Sequence, residues 1–232
     1  MSTHELGLSE SAATRSRERF EAYIYETFAQ EIRSWEEATR DDIYAVSFFV
    51  YDYDDDPRQP EVYLSYNTLT YWRERVERGA EPGEAKWNFA LWPQDFKAII
   101  ATPDGEGYVG PDTEGRALRN AWLASEGLDD GDEDLDSAEA HEQGHDIAQT
   151  FDLMQQGQDV TQRFVALCVR AARRLHEGGV IADAFGRTVP IIVHELEYYD
   201  EIRAQTREAN PPGAMAEFER YWVDALAGSA HR

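Results

Sequence analysis

The residues best suited to chemistry are His141–Glu142–Gln143–Gly144–His145, which fit the pattern H-E-x-x-H. On a helix the two imidazoles stand one turn apart and can share a zinc ion, while the glutamate activates a bound water. Read that way, the chain is a zinc-dependent hydrolase with His141 and His145 as metal ligands. The surroundings argue against it. Glu139 and Asp146 flank the pattern and Gly144 sits inside it, whereas a catalytic zinc needs a third ligand and a shielded cavity. His176 and Glu177 lie downstream at a spacing that matches no zincin. Short patterns often match by accident, so the competing reading is a solvated helix start after an acidic loop.

A second polar group is His194–Glu195–Leu196–Glu197–Tyr198–Tyr199–Asp200. Strand alternation puts His194 on one face and Glu195 and Glu197 on the other. Polar groups at the end of a buried strand are rigidly held, which suits a site. The same residues also read as a hydrogen-bonded core histidine followed by acids where the strand surfaces. The aromatic clusters Tyr44/Phe48/Phe49/Tyr51 and Trp87/Phe89/Trp92 could line a groove, but they read first as core. Cys168, the single cysteine, lies mid-helix among apolar residues with nothing to lower its pKa. There is no phosphate-binding glycine loop, no G-x-S-x-G elbow and no cysteine metal cluster, so no cofactor is expected.

These groups must be positioned by a chain whose hydrophobic period changes several times. Phe20, Ile24, Phe28 and Ile32 recur every four residues and predict a helix from about Ser11 to Trp35. Ile43–Tyr53 is β-branched and aromatic on both alternating faces, which predicts a central strand covered on both sides. Asp54–Asp55–Asp56–Pro57 ends it, and Val62–Tyr66 is its expected hairpin partner. Helical stretches are expected over Thr68–Val76, from Pro93 through Ile100, and over Arg116–Ser125.

Glu126–Glu142 carries nine acids in seventeen residues and predicts an exposed loop, inserted within one domain spanning 1–232. A helical pattern starts at Ile147, Phe151 and Met154. A second helix, capped by Asp159 or Thr161, carries Phe164, Leu167, Cys168, Ala171 and Leu175 to Gly178–Gly179. Val189–Leu196 is the late strand, and helices over Asp200–Glu208 and Ala214–Leu226 close the chain. This order is not a regular βαβ alternation. It predicts an α+β fold with a mainly antiparallel sheet packed by several helices.

Three stretches together resemble a known family: IYAVSFFVYDYDDDPRQP with YLSYNT (Ile43–Pro60, Tyr63–Thr68), KWNFALWP (Lys86–Pro93), and FGRTVPIIVHELEYYDEIRAQTREANPPGAMAEF (Phe185–Phe218). They are similar to the bacterial proteins grouped as domain of unknown function 4303. There a tyrosine-rich early strand ends in an acidic turn, a tryptophan-containing segment follows, and an Asn-Pro element precedes the last helix. The Glu126–Glu142 loop is not part of that pattern. The family carries no established activity, so the resemblance transfers no catalytic residue. Some relatives are read, from gene context, as immunity or toxin-neutralising proteins. The polar and aromatic members of the matching motifs define the shared binding site that the resemblance implies: Tyr66, Asn67, Trp87, His194, Glu195, Tyr198 and Asn210.

Composition narrows the partners. The chain holds 46 acids against 22 bases, a net charge of -24, with 42% hydrophobic residues for a core. Such a surface repels phosphate backbones and anionic headgroups, so neither nucleic acid nor membrane is an expected partner. The stretch to Arg19 is polar and no apolar run reaches the length of a membrane span. With a lone cysteine, this leads to the expectation of a cytoplasmic protein. Only Lys86 and Lys97 are lysines. Lysine scarcity with excess acid also marks salt-adapted proteins, and an acidic housekeeping protein of a salt-adapted cell would need high salt to fold. The leading expectation is a non-catalytic, immunity-type binding protein whose acidic surface meets a basic protein. The oligomeric state is not legible.

Overall fold

A computed structural model of the chain describes residues 3–104, 109–128, 147–195 and 200–229. The acidic stretch 129–146, with His141 and His145, lies outside the described residues, as do Glu197 and Tyr198.

The long strand β1 (Ile43–Asp52) is central, as its two apolar faces require. It pairs antiparallel with β2 (Pro60–Thr68), which in turn pairs antiparallel with the short β3 (Ala98–Ile100). On its other side β1 pairs with β4 (Ile191–His194), and this pairing is parallel. The order β3-β2-β1-β4 is therefore a mixed sheet in which two of three pairings are antiparallel. Pro93 to Ile100 is not helical: Phe89–Leu91 forms a 3-10 turn. Ile99 and Ile100 then serve opposite faces of the sheet, which helical spacing could not allow.

Helices cover both faces. Val46, Phe48, Val50, Val62, Leu64, Ile100, Ile191 and Val193 face a core shared with α1 (Thr3–Ser34), α5 (Thr113–Glu126) and α6 (Ile147–Glu177). Between them in the chain are α2 (Glu37–Asp42), α3 (Leu69–Glu77) and α4 (Pro82–Trp87). The expected break near Asp159 is absent and α6 runs through it. Thr161, instead of capping a helix, donates its hydroxyl proton to Asp52 at 3.0 Å.

The second face carries Ala45, Phe49, Tyr63, Ile99 and Ile192. A register irregularity between Ile43 and Ala45 puts these two residues in opposite cores. Trp87, Phe89 and Trp92 close this face, together with Met215, Phe218 and Trp222 at and within α9 (Ala216–Ser229). Of the aromatic clusters, Phe48, Phe49, Trp87, Phe89 and Trp92 are thus core, while Tyr44 and Tyr51 pack against it only partly buried. Cys168 is buried in α6, and burial pushes its thiol pKa up. The short α7 (Val180–Phe185) precedes β4, and α8 (Asp200–Ala209) packs on β4 and α6. Among the described residues no helix is long and apolar enough to cross a membrane.

Candidate functional site

The parallel pairing of β1 and β4 brings their carboxyl ends together, Asp52 on one strand and Glu195 just beyond the other. In sheets with parallel strands this end is where a crevice forms, because the crossing connections diverge there. A cavity of about 920 Å³ opens at this place, walled by α6 and α8. It is lined by the apolar Pro57, Val165, Ala166 and Val169 and by the acids Asp52, Glu195, Glu201 and Glu208. Two arginines also line it, and both already have anionic partners. Arg170 meets Glu21 at 2.7 Å and Arg173 meets Glu208 at 3.1 Å.

Glu195 is the electrostatically loaded member. Burial raises its carboxyl pKa, the Asp52 charge raises it further, Gln205 partly offsets this by hydrogen bonding, and Glu201 adds to it. A carboxylate penalised by desolvation and by like charge is relieved when a cation arrives. The crevice can therefore hold a positively charged group beside apolar side chains.

The other residues singled out in the sequence disperse. His194 points to the opposite face of the sheet from the crevice, fully buried. Its ring lies 4.3 Å from that of Phe89 and 5.4 Å from that of Phe49. A backbone carbonyl can only accept, so Nδ1 donates to the Glu195 carbonyl at 2.9 Å, leaving Nε2 to accept the Ser47 hydroxyl proton at 2.7 Å. A hydroxyl on an imidazole base is the geometry of an activated nucleophile. Here both partners are fully buried and no substrate reaches them. Burial also pushes the His194 pKa down to about 4, outweighing the hydrogen bond to Glu195. The pair is core architecture.

Asn67 and Trp87 sit near the other end of the sheet. Asn67 pairs with Ala45, whereas His194 pairs with Phe49, a separation of about 13 Å along β1. Asn67 Nδ2 donates to the Tyr44 hydroxyl at 2.8 Å, and the Trp87 ring meets Tyr44 edge-on. Tyr66 faces the first core against Trp35. Asn210 binds the backbone of Ile191 at the start of β4. Among the described motif residues, only Glu195 lines the crevice. Sequence reasoning missed Asp52, Thr161 and Gln205. Asp52 is the last residue of β1, but the sequence reading places it inside a strand running to Tyr53 and singles out no role for it.

Among the described residues no group of three or more His, Cys, Asp or Glu side chains could hold a metal ion. The hydrolase reading rests on 141–145 and gains nothing from the described geometry. Comparison with models of known protein families, with curated proteins and with solved structures finds no match to this chain.

Proposed function

We propose that the chain is a non-catalytic, intracellular binding protein that takes a basic protein partner at the crevice between Asp52 and Glu195. The observation that carries this reading is the loaded state of Glu195, whose charge is opposed by burial and by Asp52 beside a cavity of about 920 Å³. A partner cation relieves that opposition, and its aliphatic stem finds apolar contact on Val165 and Val169. The net charge of -24 steers a basic partner toward the surface before contact. An immunity-type role, as the resemblance to the domain of unknown function 4303 family implies, is one biological form of this chemistry.

The test uses a fluorescent arginine-rich peptide as probe, titrated at low and high salt against wild type, Glu195→Gln and Asp52→Asn. Binding that weakens with salt and drops at least about threefold in each variant, the equivalent of ~0.7 kcal/mol, is the expected result. Binding indifferent to both variants moves the partner surface elsewhere. Absence of binding even at low salt removes the reading altogether.

A further inference from the structure

Lys86, in α4, lies inside a ring of aromatic side chains. Its ammonium nitrogen is 5.2 Å from the ring centre of Trp72, 5.3 Å from that of Tyr44 and 5.5 Å from that of Trp87. A Glu217 carboxylate oxygen, from the first turn of α9, stands 2.5 Å away. The walls come from four elements: Tyr44 from β1, Trp72 from α3, Trp87 from α4 and Glu217 from α9.

Each ring has a support that does not depend on the ammonium. Trp72 Nε1 donates to the Pro82 carbonyl at 2.9 Å. The Tyr44 hydroxyl donates to the Lys86 carbonyl at 2.5 Å and accepts from Asn67 at 2.8 Å. Trp87 stands edge-on to Tyr44, with an interplanar angle of 88°, and packs on Phe218. The cage is therefore built by the surrounding fold.

Aromatic faces attract a cation through their quadrupole, and several such faces with one carboxylate are the chemistry that selects alkylammonium groups. In a chain with 22 basic residues of which only two are lysines, Lys97 also lies over a ring, 5.3 Å from that of Tyr66. An arginine does so too, Arg174 lying 4.5 Å from the ring centre of Tyr25, so it is the three-ring enclosure with a carboxylate, and not ring contact alone, that sets Lys86 apart.

We propose that Tyr44, Trp72, Trp87 and Glu217 form a binding site for an alkylammonium group, filled in the resting fold by the chain's own Lys86. The site is independent of the acidic crevice. An internal ligand competes at an effective concentration of roughly millimolar or above, so free amines do not displace Lys86 at lower concentrations. Removing its charge or its side chain vacates the cage, and an external methylated or quaternary ammonium then enters.

The experiment titrates tetramethylammonium chloride into wild type and Lys86→Ala, following tryptophan fluorescence and thermal stability, with sodium chloride at equal ionic strength as the control. Lys86→Ala is expected to give a saturable response with half-saturation at roughly 1–100 mM, and wild type none beyond the salt effect. Adding Trp72→Ala to that variant is expected to weaken the response at least about twofold. A response in Lys86→Ala that is identical to wild type, or unaffected by Trp72→Ala, overturns the proposal. If Lys86→Ala fails to fold alone, tetramethylammonium but not sodium is expected to restore folded protein in a concentration-dependent way, and the absence of such rescue overturns it equally.

Discussion

Asn210 engages both backbone groups of Ile191: its Oδ1 accepts from the Ile191 N–H at 2.8 Å and its Nδ2 donates to the Ile191 carbonyl at 2.6 Å. Thr206, one turn earlier in α8, does the same for Val193, accepting from its N–H at 3.1 Å and donating to its carbonyl at 3.0 Å. Among the described residues β4 is an edge strand, and the side chains of Thr206 in α8 and of Asn210 just after it supply the pairing that a fifth strand would otherwise give. An edge treated this way offers no row of open groups to another chain.

Asn210→Ala is expected to destabilise the fold by about 2–4 kcal/mol, because it strips partners from both an N–H and a carbonyl at a buried strand. Urea unfolding at neutral pH measures this. A loss below ~1 kcal/mol would mean that water replaces the side chain and that the edge is less enclosed than its geometry implies.

Two serines that face each other across β1 and β2 make a sharper contrast. Ser47 and Ser65 are register partners and both are fully buried. Ser47 donates to His194 at 2.7 Å, whereas the Ser65 hydroxyl has no hydrogen-bond partner among the described residues. Ser47→Ala removes the hydroxyl from which the buried imidazole accepts and is expected to cost about 1–3 kcal/mol. Ser65→Ala removes a hydroxyl that gains nothing and is expected to be neutral or stabilising. Thermal unfolding of the two single variants decides it, and equal effects would refute the distinction.

Periodicity made the α+β class and the central strand legible, because β1 carries its apolar character on both faces in the sequence itself. The parallel pairing of β4 was not legible. Nothing in four residues states a direction, and the partner lies over a hundred positions away. β3 was hidden by its length, since three residues carry no period. The crevice escaped for the same reason as the pairing: Asp52, Thr161, Glu195 and Gln205 meet only after β1, β4, α6 and α8 assemble. Asn210 stood out as a polar residue in a motif. A side chain that holds a strand edge and one that holds a ligand look the same in sequence.

Glu195 links stability to binding. Its raised pKa means that the folded chain binds a proton more tightly than the unfolded chain. Stability therefore falls as pH rises from the unfolded value through the folded one, and the penalty persists at neutral pH. Glu195→Gln removes the charge and is expected to raise stability at neutral pH by a few tenths to about 1 kcal/mol. The same variant is expected to bind the cationic peptide more weakly. Denaturant titrations at neutral pH measure the first effect, and a stability loss on Glu195→Gln would contradict the repulsion assigned to Asp52 and Glu201.

His194 sets a pH dependence of opposite sign. Its pKa is pushed down to about 4 in the fold, against about 6.5 in an unfolded chain. Between these values the unfolded state holds more protons, so stability rises with pH across the window and is lost as pH falls through it. The slope from one such group is on the order of 1 kcal/mol per pH unit. His176, whose pKa is also lowered by burial, contributes with the same sign, so the wild-type slope contains both. His194→Gln keeps a polar group against Ser47 and does not titrate. Stability measured at closely spaced pH values between 6.5 and 5, above the range where most carboxylates protonate, is expected to show a shallower slope in His194→Gln than in wild type. Identical slopes would mean that His194 takes up its proton without unfolding the chain, and that the ring lies within reach of water despite the aromatic cover of Phe49 and Phe89.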